Sequence, residues 1–145
     1  MSSDEVGALI AEGVVERVQA DVAAARRDLI AARTHLESAA AVAGIDPVGA
    51  FTLAYDGMRK AIVAHMRANG MRVKARTGAH YQTGRYAIAA LGGEGIDSDL
   101  RAFNTLRALR NRSEYGGALV READVTQAIA YADTVLKVIA DEIGE

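Results

Sequence analysis

Cysteine is absent from the sequence, which excludes disulfides, thiolate zinc sites and a cysteine nucleophile. Long apolar runs are also missing, and nothing approaches the roughly 20 consecutive apolar residues needed to cross a bilayer. The first dozen residues carry Asp4, Glu5 and Glu12 and no basic stretch, so they do not resemble a secretory leader. The expectation is a cytoplasmic chain with no membrane partner. The histidines His35, His65 and His80 are well separated and lack paired-ligand spacing, so no metal site is expected. Gly92-Gly93-Glu94-Gly95 lacks the lysine and the strand context of a phosphate loop. Ser38, Ser98 and Ser113 have neither a histidine close by nor a nucleophile-elbow setting. No cofactor is implied.

What is present is ordinary for one globular domain spanning residues 1–145: half the residues are apolar and a quarter are charged. Val6, Ile10, Val14, Val18, Val22, Ala25, Leu29, Ala32, Leu36 and Ala39 recur at steps of three or four, which lays one apolar stripe along a helix. That spacing predicts one long helix, or two nearly continuous ones, ending at Gly44. Asp46-Pro47 supplies an N-cap and a proline at the first helical position. Val48, Phe51, Tyr55, Met58, Ile62 and Met66 form the next stripe, which stops at Asn69-Gly70. A loop over Met71 to Gly78 leads to a short helix from Tyr81 to Leu91. A fourth helix starts at Asp97-Ser98-Asp99, runs through Leu100, Phe103, Leu106 and Leu109, and ends at Gly116-Gly117. The last helix carries Val125, Ile129, Ala132, Leu136, Ile139 and Ile143. No strand pattern emerges. The fold class is all-α, an up-and-down bundle of four to five helices, with Phe51, Tyr55, Ile62, Phe103, Leu106, Ile129 and Leu136 in one core.

Charge is segregated along the chain. Between Gly57 and Gly93 there are seven lysines and arginines, two histidines and no carboxylate, although the net charge of the whole chain is -2. The fourth helix and its exit add Arg101, Arg107, Arg110, Arg112 and Arg121, while Glu122, Asp124, Asp133, Asp141, Glu142 and Glu145 gather at the C-terminal end. Such a chain either presents a face that attracts phosphate or carries a merely solvated basic surface. Arg110 is the sharper signal. At 100° per residue it falls inside the arc of Leu100, Phe103, Leu106 and Leu109. A guanidinium stays charged and is costly to bury alone. It must meet an acid such as Glu114 one turn on, a phosphate, or a wet subunit interface.

The stretch Arg107-Ala108-Leu109-Arg110-Asn111-Arg112-Ser113-Glu114-Tyr115-Gly116-Gly117 resembles the signature of the HEPN family. That signature is an arginine, often followed by asparagine, with a histidine a few residues on, at the end of a late helix. Arg110-Asn111 stands in the arginine-asparagine position and Tyr115 stands where the histidine is expected. The order of helices is similar over roughly residues 21–143, including the small-and-aromatic second helix with Phe51, Ala54, Tyr55, Arg59 and Ala61. The resemblance implies RNA or a nucleotide phosphate as ligand, with Arg110, Asn111 and Tyr115 as catalytic residues. It also implies a homodimer with the two motif regions facing across a cleft. Many members are metal-independent endoribonucleases, toxins paired with a nucleotidyltransferase antitoxin or parts of defence systems. Arg72, Lys74, Arg76, His80, Arg107 and Arg112 are the candidate nucleic-acid-binding residues.

The chemistry suits those residue types. RNA carries its own nucleophile in the 2′-hydroxyl, so the protein must move a proton and hold phosphorane charge; histidine suits the first task and arginine the second. Tyr115 is a departure, because an ordinary phenol with a pKa near ~10 is a poor base at neutral pH. Two readings follow: an endoribonuclease in which Tyr115 acts as a general acid or hydrogen-bonds a phosphate, or in which His65 or His80 supplies the proton transfer, and a HEPN domain without catalysis that acts as a binding or dimerisation adaptor. Some family members carry an AMP-modified tyrosine two residues beyond the histidine. That position here is Gly117, so the role does not transfer.

Overall fold

The computed structural model describes residues 3–75, 78–115 and 119–144, and the side chains of Ser3, Glu114 and Tyr115 also lie outside that description. The elements run α1 (Ser3–Glu12), β1 (Val15–Arg17), α2 (Val22–Val42), α3 (Pro47–Ala68), β2 (Met71–Val73), α4 (Ala79–Leu91), α5 (Asp97–Tyr115) and α6 (Glu122–Ile143). The all-α bundle is the observed architecture. The expected single stripe over residues 6–39 is divided, however, because Gly13 adopts a left-handed φ of 82° and Val14 N–H closes on the Leu9 carbonyl at 3.0 Å. Left-handed backbone ends a helix and suits glycine. The chain then turns extended at Val14 and Val15, both buried and both β-branched.

That turn produces a feature the helical periodicity concealed. β1 and β2 pair antiparallel in the register Val15↔Val73, Glu16↔Arg72, Arg17↔Met71. Residues 71–73, expected in a loop, therefore close a three-residue, two-stranded seam between the N-terminal segment and the end of α3. Cross-strand Arg72 donates its Nε to Glu16 Oε1 at 2.9 Å, so sequence-distant charges fix the register.

The helix starts follow local chemistry. Asp21 and Asp46 each accept a backbone N–H three residues on, from Ala24 and Gly49, at 2.9 Å, and Pro47 opens α3. α3 is the central helix and packs against α2, α4, α5 and α6. Phe51, Tyr55, Ile62, Phe103, Leu106 and Leu136 are buried in the common core, and Ile129 packs half-buried against it. α4 begins at Ala79, which brings His80 into its first turn.

The approach of α4 to α5 is set by Gly84. A Cβ there would lie 3.0 Å from both Asn104 Oδ1 and Phe103 Cδ2. Gly84→Val should therefore push the two helices apart and lower stability by about 1–3 kcal/mol, the usual cost of overpacking. A urea titration followed by circular dichroism checks this. An unchanged midpoint would show that the α4–α5 seam has slack.

Candidate nucleic-acid interface

Tyr55 is fully buried on α3, and a buried phenol needs a hydrogen-bond partner. It finds one across the bundle: Tyr55 Oη and His80 Nδ1 of α4 lie 3.1 Å apart. The two rings are 5.9 Å apart at their centroids, and Phe103 of α5 stacks on Tyr55 at 5.1 Å. Arg110 places its guanidinium carbon 5.5 Å from the Tyr55 centroid, a cation–π distance. One turn earlier on the same face of α5, Arg107 lies 5.6 Å from the Tyr81 centroid and directs its Nε at Asn104 Oδ1, 3.4 Å away. Arg59 sits one turn after Tyr55 on α3, 3.7 Å from Asp56. Three helices thus converge on one Tyr–His pair.

The electrostatics of the pair follow from this setting. Burial pushes the Tyr55 hydroxyl up to about 12, against the lowering pull of Arg110, Arg59 and Arg107. It remains a phenol at any physiological pH. His80 is pushed below the ordinary histidine range, first by burial and then by Arg59 and Arg110, with Asp56 opposing and Arg107 adding to the effect. A neutral imidazole beside three cations is an unusual combination, and Tyr55 is the ring's only hydrogen-bond partner among the described residues. When Nδ1 carries the proton and donates to the phenol oxygen, Nε2 presents a lone pair.

The basic stretch is less uniformly basic in three dimensions than in sequence. Arg85 grips Glu12 with both Nη atoms, at 2.6 and 3.0 Å. Arg72 is paired with Glu16, and Arg67 with Asp28 at 3.3 Å. Carboxylates from the first 28 residues neutralise these three.

Of the candidate residues, Arg107, Arg110 and His80 are brought together. Asn111 is half-buried and Arg112 exposed, farther along α5. Lys74 is exposed just after β2, where its N–H donates to the Val14 carbonyl at 3.0 Å. Arg76 lies outside the described residues. Tyr115 is the last residue of α5, and its side chain, like that of Glu114, is outside them too. The two histidines considered as proton carriers separate clearly. His65 is 0 % exposed, with Nδ1 2.8 Å from Tyr86 Oη and Nε2 3.1 Å from Glu142 Oε1. It is a core residue remote from solvent.

Sequence reasoning assigned Tyr55 to the core alone and overlooked Arg59, Tyr81 and Asn104 as members of a site. A signal existed for Tyr55, since tyrosine at the centre of an apolar stripe carries a hydroxyl that must be satisfied. Among the described residues, no helix is long and apolar enough to cross a membrane, and no three His, Asp or Glu side chains are grouped to hold a metal ion. Comparison of the chain with protein-family models, curated proteins and solved structures finds no match.

Proposed function

We propose that the chain is a HEPN-type RNA-binding domain that cleaves RNA without a metal, with His80 taking the part the motif leaves unfilled at Tyr115. The observation that carries this reading is the Tyr55–His80 hydrogen bond at 3.1 Å in the field of Arg59, Arg107 and Arg110. Neutral His80 removes the proton from a 2′-hydroxyl, whose oxygen bonds to the adjacent phosphorus. The P–O5′ bond breaks, and the 5′-oxygen leaves with a proton from the imidazolium so formed. Arg59 and Arg110 hold the charge that builds on the phosphorane oxygens. The products are a 2′,3′-cyclic phosphate and a 5′-hydroxyl. The resemblance carries the wider setting: a homodimer with its two motif regions facing each other, acting as a toxin or defence component beside a small nucleotidyltransferase antitoxin.

Tyr115 at the histidine position favours a second reading, a domain that binds RNA without cutting it and serves as an adaptor. One assay separates the two. An end-labelled oligoribonucleotide incubated with the chain in EDTA should yield cyclic-phosphate ends, and a 2′-deoxy substitution should block cutting but not binding. Binding that weakens with added salt, without cleavage, would leave the adaptor reading. Cleavage that stops on chelation, or no binding at all, would overturn the proposal.

A further inference from the structure

Beside the Tyr55–His80 pair lies a second arrangement that phosphate binding does not account for. Tyr81 follows His80 in the first turn of α4 and is 45 % exposed, whereas Tyr55, Tyr86, Phe51 and Phe103 are buried. Arg107 lies against that ring, 5.6 Å from its centroid, and is half-buried. Its Nε is directed at Asn104 Oδ1, 3.4 Å away, which turns the two Nη groups away from Asn104. The two Nη groups have no hydrogen-bond partner among the described residues. An open ring thus sits next to an oriented fork of N–H donors.

We infer that Tyr81, Arg107 and Asn104 form a nucleobase subsite that accepts an unpaired guanine. The base stacks on the Tyr81 ring, and the Arg107 fork donates to its O6 and N7 acceptors. A guanidinium fork matches that edge of guanine, whereas adenine offers an amino donor in place of O6. Aromatic stacking accepts any base, so Tyr81 supplies affinity and Arg107 supplies the choice. Because Tyr81 directly follows His80 in the first turn of α4, the subsite lies beside the proposed proton carrier. This inference rests on the phosphate reading of the site and adds base recognition to it.

The test uses the full chain and three labelled oligouridine heptamers. Each carries at its centre a guanosine, an adenosine or an abasic ribose, with a non-cleavable 2′-deoxy linkage beside it, and binding is read by fluorescence anisotropy. The guanosine heptamer should bind about tenfold or more tightly than the abasic one. Tyr81→Ala should bring the two within a few-fold of each other. Arg107→Lys, which keeps the charge but loses the fork, should erase the preference for guanosine over adenosine while preserving stacking. Circular dichroism of both variants confirms their fold. Equal binding of all three heptamers, or a preference that survives Tyr81→Ala and Arg107→Lys, overturns the subsite. If the abasic heptamer still binds and Arg110→Ala abolishes that binding, the phosphate reading stands without the subsite. If no heptamer binds, both fall together.

Discussion

His80→Asn should reduce RNA cleavage by a hundredfold or more while leaving RNA affinity within a few-fold of wild type. Loss of a positioned proton carrier typically costs two to four orders of magnitude in rate, and asparagine still offers the Tyr55 phenol a polar partner. Arg110→Ala should behave differently. It removes a cation that lies against the Tyr55 ring and bears on His80, so both affinity and rate should fall. The rate loss should be about 100- to 1,000-fold, comparable with deleting one oxyanion donor. The pH profile adds an independent check. Because burial and the arginines hold His80 below the usual histidine range, the base stays unprotonated at neutral pH. The acid limb of the activity profile should therefore have its midpoint below about 6.5, the ordinary histidine value. His80→Asn cutting at the wild-type rate would remove His80 from the mechanism and return the proton transfer to Tyr115.

Much of this site was legible one element at a time and illegible as an assembly. Arg110 stood out because a guanidinium interrupts an apolar arc, and the structure places it against Tyr55. The start of α3 at Asp46-Pro47 was legible because capping is local chemistry, confined to three or four residues. The break at Gly13 was hidden by the apolar spacing of Val14 and Val18, which suits a helix face as well as a buried turn and strand. β1 and β2 are three residues each, too short for an alternating pattern to show. Charge segregation was a reliable count and an incomplete guide to the field. Glu12, Glu16 and Asp28 return from far along the chain to neutralise Arg85, Arg72 and Arg67. The Tyr55–His80 contact spans 25 residues and joins α3 to α4. No periodicity encodes such a contact.

His65→Ala should be the most damaging substitution to stability among the polar residues, costing about 2–4 kcal/mol as a cavity opens and a buried phenol loses its partner. The imidazole ties α3 to Tyr86 of α4 and to Glu142 of α6. Asn69, one turn on, donates to the His65 carbonyl at 2.8 Å. Burial pushes the His65 pKa down, and the hydrogen bond and charge of Glu142 only partly oppose that shift. Tyr86 is itself held as a phenol, pushed well up by burial and by Glu142. The linkage has a definite sign. With its folded pKa below the unfolded value near ~6.5, His65 takes up a proton more readily in the unfolded chain as pH falls. Its contribution is fully present above about pH 6.5 and is lost as pH drops through the folded value. Thermal unfolding at neutral and at mildly acidic pH should therefore show a midpoint that falls with acidification. His80 titrates with the same sign, so the comparison needs His65→Gln, which keeps hydrogen-bonding capacity but cannot titrate. That variant should start less stable and lose less on acidification than wild type. A His65→Gln profile parallel to wild type would show instead that His65 binds its proton equally well in the folded and unfolded chain, and a wild type that gains on the variant with acidification would show that Glu142 holds the imidazole protonated.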